Sequence, residues 1–176
     1  TYYVATNGND SADGKTWPTA KASIQAGIDA VTYGGLVMVS NGFYESGGVV
    51  LAGVSNRIAI TNGATVQSVN GPAWTVIFGG GYVGSSAVRG AYLGDGAALL
   101  GFSVTNGHSA VDGDGGGLYC ESTAVVVSNC VIADNACDRF GGGTVKGTFY
   151  NCTFWGNDAG DFFGSGGGVC GSVLYD

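Results

Sequence analysis

The chain has little charge, almost no proline and a single histidine. Six of its 176 residues are Lys or Arg and thirteen are Asp or Glu, together 11%, where soluble domains usually carry roughly 25%. The basic residues Lys15, Lys21, Arg57, Arg89, Arg139 and Lys146 are scattered singly. With no basic patch to hold a phosphate backbone, no nucleic-acid partner is expected. No apolar run approaches the roughly 20 residues of a membrane span, so no part of this chain is expected to insert into a membrane. One histidine and five cysteines without a CxxC pair do not make a structural zinc site. What abounds is glycine, at 35 residues. The glycines follow no G-x-y period, which excludes collagen. Each costs roughly 1 kcal/mol inside a helix, which excludes a helical bundle. A hydrophobic share of 45% excludes a disordered glycine-rich linker. Many short strands joined by tight turns remain.

The net charge is -7. Sparse charge, abundant small polar residues and an odd number of scattered cysteines point to a secreted or cell-surface setting. The chain opens at Thr1-Tyr2-Tyr3-Val4 with no signal peptide, either because one was cleaved or because none existed.

A short strand ending in Asn-Gly recurs. Val37-Met-Val39-Ser-Asn41-Gly42 returns as Ile58-Ala-Ile60-Thr-Asn62-Gly63 and Phe102-Ser-Val104-Thr-Asn106-Gly107. It loosens to Cys130-Val-Ile132-Ala-Asp-Asn135 and Cys152-Thr-Phe154-Trp-Gly-Asn157. The steps of 21, 44, 28 and 22 residues suggest a period near 22, with Thr75-Val-Ile77-Phe-Gly-Gly80 filling the long gap. A second repeat, Gly115-Gly-Gly-Leu118, Gly141-Gly-Gly-Thr144 and Gly166-Gly-Gly-Val169, has steps of 26 and 25. Such a period suits a solenoid coil of three short strands, and alternating apolar positions supply its buried face. The expected interior columns are Val37/Ile58/Phe102/Cys130/Cys152 and Val39/Ile60/Val104/Ile132/Phe154. Asn41, Asn62, Asn106, Asn135 and Asn157 should then share one corner as a structural amide stack.

The expected fold is all-β: a right-handed parallel β-helix, a single-stranded solenoid of about 22 residues per coil with an N-terminal capping α-helix. Residues 1–176 form one domain, with 1–35 as the lead-in and cap and 36–176 as the coils. The cap is the amphipathic segment from Thr16 to Val31, with Thr16 as N-cap, Pro18 in the first turn and Gly34-Gly35 as its stop. Aligned on the preceding coil, Asp176 falls at the position of Asn151. The last coil is thus left wanting a neighbour: either the chain is a fragment of a longer rod, or another chain covers that edge, and head-to-tail self-association would then propagate into a filament.

These features resemble the secreted bacterial right-handed parallel β-helix proteins of the pectate-lyase-like superfamily. The resemblance covers nearly the whole chain. It rests on the opening Tyr3-Val-Ala-Thr-Asn-Gly-Asn-Asp10, the segment Ala22-Ser-Ile-Gln-Ala-Gly-Ile-Asp-Ala30, and Val37-Met-Val-Ser-Asn-Gly-Phe-Tyr44. Ser68-Val-Asn-Gly-Pro72 and Thr75-Val-Ile-Phe-Gly-Gly80 add to it. The later coils are similar to the GGA[ILV] and FxxN repeats of chlamydial-type polymorphic outer membrane proteins and adhesin-type β-helices. Gly166-Gly-Gly-Val169 has glycine where that pattern has alanine, and Phe154-Trp-Gly-Asn157 matches FxxN. This fold hosts both enzymes and inert stalks, so the resemblance speaks to fold more than to function.

Asp112 and Asp114, near His108, and Asp10 and Asp13, in an oxygen-rich loop, are the candidate calcium ligands. Both stretches read equally as solvated or Asx-type turns. No other cofactor is expected. Cys130 and Cys152 are either a disulfide or two small core residues. Trp155, out of phase with Phe154, should face outward and is the candidate for stacking on a sugar. A lyase would need calcium-binding acids beside a basic residue, and a hydrolase would need carboxylates on adjacent coils. Neither constellation is evident, nor are the family's hydrolase-type signatures. The expected function is a non-catalytic secreted or cell-surface structural β-helix: a stalk, an adhesin-like module or a filament subunit. The alternative is a polysaccharide-acting enzyme or carbohydrate-binding module.

Overall fold

The computed structural model describes residues 1–51, 53–81, 86–109, 113–160 and 165–176. Its strands lie almost entirely in three parallel sheets. Sheet A has seven: Tyr2–Val4, Leu36–Val39, Thr65–Ser68, Ala98–Leu100, Val126–Ser128, Thr148–Tyr150 and Val173–Tyr175. Sheet B has five, in the spatial order Thr153–Trp155, Val131–Ala133, Ser103–Thr105, Thr75–Phe78 and Gly42–Tyr44. Sheet C has six, in the order Val169–Cys170, Thr144–Val145, Leu118–Cys120, Val88–Leu93, Val54–Ile60 and Val49–Leu51. From Leu36 onward the chain visits A, then B, then C, and begins again. A strand of one sheet cannot reach its parallel neighbour directly and needs a crossover. Here the crossover consists of the strands of the other two sheets. The exception is the hairpin pairing Val49–Leu51 antiparallel to Val54–Ile60.

Most strands alternate, and their inward residues enter one buried cluster drawn from all three sheets; the last strand, Val173–Tyr175, is exposed throughout. Sheet A contributes Val37, Val66, Leu99, Val127 and Phe149; sheet B contributes Ile77, Val104 and Ile132; sheet C contributes Ile58, Leu93 and Leu118. Burying a side chain of this size contributes about 1.5–3 kcal/mol, so these columns dominate the stability of the fold.

The registers correct three expectations. First, the expected columns mix the sheets. Val39 lies in sheet A beside Val4 and Ser68, and Ile60 lies in sheet C beside Leu93. Only Val104, Ile132 and Phe154 share a row, which Ile77 and Tyr44 continue. In the other column, Val37 and Ile58 likewise lie in sheets A and C, apart from Phe102, Cys130 and Cys152. The apolar-x-apolar-x-Asn-Gly signature marks the end of an inward-facing strand in any of the three sheets, so it does not carry the phase. Second, the repeat is not uniformly 22 residues. Pairing of Leu36 with Thr65, Thr65 with Ala98, Ala98 with Val126, Val126 with Thr148 and Thr148 with Val173 gives steps of 29, 33, 28, 22 and 25. Third, the five asparagines do not share a corner, because the motifs that carry them end strands of different sheets.

The capping segment is also split. Thr16 caps a 3-10 turn at Trp17–Thr19, and the α-helix, α1, spans Ile24–Ala30. Between them Ala20 is extended, and Lys21 bridges in parallel to Val4. The backbone there pairs with Tyr2–Val4: the Tyr3 N–H donates to Gly14 O, and the Lys21 N–H donates to Tyr3 O at 2.8 Å. A continuous helix would forfeit those bonds. Ser23 caps α1 by accepting from the Ala26 N–H. The helix buries Ile24 and Ile28 against the first strands.

Asp10 holds this junction. Its Oδ1 accepts from the Ala22 and Ser23 N–H groups at 2.7 and 2.9 Å, and its Oδ2 accepts from Ser23 Oγ at 2.9 Å. Burial alone would push this carboxyl up, but the Ser23 and Ala22 hydrogen bonds and the charge of Lys21 outweigh it and hold the pKa below 3.8. Because the folded value is depressed, Asp10 stabilises the fold above the unfolded pKa, and that contribution disappears as pH falls through the folded value. Asp10→Ala should therefore cost about 1 kcal/mol at neutral pH. In urea melts the gap from the wild type should close progressively in acid.

Candidate functional site

Two of the five asparagines form a ladder, Asn135 fully buried and Asn157 partly so. The Asn135 side chain accepts from the Gly107 N–H at 2.8 Å and donates to Val104 O at 3.0 Å and Asn157 Oδ1 at 2.9 Å. Asn157 repeats this one step along, donating to Ile132 O and accepting from the Asn135 N–H. The triple-glycine repeats close around this ladder. A Cβ on Gly117 would lie 2.8 Å from Asn135 Cγ, and one on Gly143 would lie 2.9 Å from Asn157 Cγ. The other three asparagines work elsewhere. Asn41 accepts from Asn70, Asn62 donates to Ile28 O and Val31 O at the end of α1, and Asn106 adopts a left-handed φ of 53° and donates to Thr105.

Of the calcium candidates, Asp10 already has hydrogen-bond donors around its carboxylate, as described above. Asp13 Oδ1 accepts from the Lys15 N–H at 3.0 Å in an Asx-type turn. Asp112 lies outside the described residues. Asp114 Oδ1 sits 3.8 Å from Arg139 Nε. Among the described residues, no group of three or more His, Cys, Asp or Glu side chains is placed to hold a metal ion. Trp155 faces outward and is 56% exposed at the edge of sheet B. Cys130 and Cys152 occupy neighbouring places in successive repeats as free thiols.

Sheet C carries a feature that the motifs did not mark. Its pairing sets Tyr92 directly beside Tyr119, with ring centroids 5.5 Å apart and planes within 8°. The hairpin overhangs these rings, and Leu51, Val54, Arg89, Tyr92 and Tyr119 line a cleft of about 240 Å³. The Arg89 guanidinium lies 5.0 Å from the Tyr119 ring centre. It is only 4% exposed and donates to Gly115 O, Asn56 Oδ1 and Asp114 O. Burial pushes its pKa down to about 10, against the pull of Tyr119 and Asp114, so it is charged at neutral pH. Tyr92 donates to Glu121 Oε1. Burial and this carboxylate raise the phenol to about 12. The two rings are therefore flat faces beside one acceptor and one buried cation that is tied to Gly115, Asn56 and Asp114. The arrangement suits stacking on a ring-shaped ligand. Its signal in the sequence is an outward tyrosine between two inward residues, in Ala91-Tyr92-Leu93 and again in Leu118-Tyr119-Cys120.

No protein-family model, curated protein or solved structure matches this chain. No helix among the described residues is long and apolar enough to cross a membrane.

Proposed function

We propose that this chain is a right-handed parallel β-helix of the pectate-lyase-like kind, serving as a non-catalytic structural module outside the cell or at its surface. The carrying observation is that polar side chains, buried at Asn135 and Arg89 and partly buried at Asn157 and Arg57, join one repeat to the next. Asn135 and Asn157 bridge successive strands of sheet B, and Arg89 links carbonyl groups across sheet C. Arg57 does the same, donating to Phe78 O and Gly79 O from a strand of the preceding repeat. Side chains tied to neighbouring backbone in this way hold a shape. They suit a stalk or adhesin-like element.

The filament form of this reading seats a second copy on Val173–Tyr175. Leu174 there is 54% exposed, whereas Val37, Val66, Leu99, Val127 and Phe149 of the same column are at most 1% exposed. At the other end of sheet A, the outer edge of Tyr2–Val4 is already bonded to residues 14–21. A head-to-tail neighbour would thus pack on the capping segment without continuing that sheet. Sedimentation velocity and electron microscopy over a concentration series test this form. Growth of elongated particles with concentration is expected; a strictly monomeric particle at high concentration removes it. Release of unsaturated products or reducing ends from acidic polysaccharides, with calcium present, would overturn the non-catalytic reading.

The Tyr92–Tyr119 cleft favours one second reading, a carbohydrate-binding module. Stacked tyrosines offer a flat apolar face to a pyranose ring. If this reading holds, migration of the protein is retarded in affinity gels containing a neutral polysaccharide, and Tyr119→Ala removes most of the retardation. Equal migration of the two proteins in every polysaccharide tried eliminates it.

A further inference from the structure

Cys130 and Cys152 occupy one position in successive repeats, each immediately before a strand of sheet B. Val131 pairs in register with Thr153, and the Thr153 N–H donates to Cys130 O at 2.9 Å. In-register neighbours of a parallel sheet sit roughly 4.7–4.9 Å apart. That falls within the roughly 4.4–6.8 Å Cα window of disulfides. Each sulfur accepts from the backbone of the preceding repeat: the Cys130 N–H donates to Cys152 Sγ at 3.5 Å, and the Phe102 N–H donates to Cys130 Sγ at 3.3 Å.

Among the described residues, the other cysteines have no such partner. Cys120 pairs with Leu93, Cys137 with Ala159 and Cys170 with Val145. The two members of the pair also differ. Cys130 is 1% exposed, whereas Cys152 is only partly buried. Burial and its hydrogen bond to Cys152 push the Cys130 thiol up. That same hydrogen bond pulls Cys152 down, against its own burial. The reachable sulfur is thus the one more readily ionised, and the thiolate is the nucleophile in disulfide exchange.

We propose that Cys130 and Cys152 form an oxidisable pair that closes to a disulfide between adjacent repeats on encountering a small-molecule disulfide. The Cys152 thiolate attacks one sulfur of the oxidant. The oxidant's S–S bond breaks, one thiolate leaves, and a mixed disulfide forms on Cys152. Cys130 then loses its proton to solvent and attacks Cys152 Sγ, releasing the second thiol. The protein gives up two protons and two electrons, and the oxidant becomes two thiols. The product joins the last two strands of sheet B, so it clamps the repeat that carries the edge strand.

The test incubates the full chain with oxidised glutathione and reads intact mass and mapped peptides. The wild type should lose two hydrogens and yield one cross-linked peptide joining Cys130 to Cys152. Cys130→Ser should stop at glutathione on Cys152, and Cys152→Ser should leave Cys130 unmodified. A bond joining other cysteines, or glutathione accumulating on Cys130, overturns the proposal. Because either variant could fold poorly, iodoacetamide labelling of the wild type provides an independent readout. Cys152 should be alkylated faster than Cys130, and the reverse order also overturns the proposal.

Discussion

Gly116→Ala is expected to abolish stable folding or, at the least, to lower the melting temperature sharply. A Cβ at this position would lie 2.0 Å from Ala136 O, 2.6 Å from Ala136 C and 2.9 Å from Ala136 N. All three are backbone atoms, so no side-chain rotation relieves the clash. The Ala136 carbonyl is held by the Ser109 N–H, and Gly116 O is held by the Gly90 N–H. Separating the two segments would therefore break ladder bonds on both sides. Overpacking of a core typically costs roughly 1–3 kcal/mol, and a clash between two pinned backbones belongs at or above the top of that range. Gly168→Ala is the control. It ends the last triple-glycine repeat, its nearest neighbour would be Phe154 Cβ at 3.8 Å, and its backbone is not left-handed. It should shift stability by no more than about 0.5 kcal/mol. Thermal melts of the two variants followed by circular dichroism make the comparison.

Asn135→Ala should be the next most damaging change. Asn135 is fully buried, and its amide is bonded on both sides. Truncation strands the Gly107 N–H in a water-free interior and removes the amide's bonds to Val104 O and Asn157 Oδ1. An unsatisfied buried group costs roughly 1–3 kcal/mol, so a loss of at least about 1–3 kcal/mol is expected. At roughly 2–4 °C per kcal/mol for a chain of this size, the melting temperature should fall well clear of experimental error. Asn135→Asp should be worse at neutral pH. It buries a charge and turns a carboxylate oxygen toward the Val104 carbonyl, which requires a donor. Its deficit relative to Asn135→Ala should shrink in acid as the carboxyl becomes protonated. The outer asparagine pair makes the contrast: Asn151 donates to Asn129 Oδ1 at an exposed corner, so Asn151→Ala leaves nothing buried unsatisfied.

These two sites also show what the sequence can convey. The triple glycines were legible with their register: Leu118, Thr144 and Val169, which follow them, pair directly. Thr75–Phe78 takes its place between Gly42–Tyr44 and Ser103–Thr105, where the gap in the repeat called for a strand. The outward setting of Trp155 follows from simple alternation with Phe154. The phase of the early repeats was not legible. Val37-Met-Val39, Ile58-Ala-Ile60 and Phe102-Ser-Val104 satisfy the same rule of two inward residues before a turn, although they belong to three different sheets. Only cross-strand pairing separates them, and pairing is a long-range property. Among the described residues the hairpin at Val49–Leu51 has no counterpart strand in later repeats, only an isolated antiparallel bridge between Gly80 and Val88, so nothing repetitive announced it or the cleft beneath it. The role of Asp10 was hidden for a similar reason: its partners Ala22 and Ser23 lie more than ten residues away.

A crystal structure of the isolated chain tests the central claim most directly. Tyr44, Ile77, Val104, Ile132 and Phe154 should form one inward row, with parallel neighbours roughly 4.8 Å apart. The Asn135 amide should bridge Gly107 to Asn157. If Val104 and Ile132 instead lie on antiparallel strands, or Asn135 faces solvent, the account is wrong.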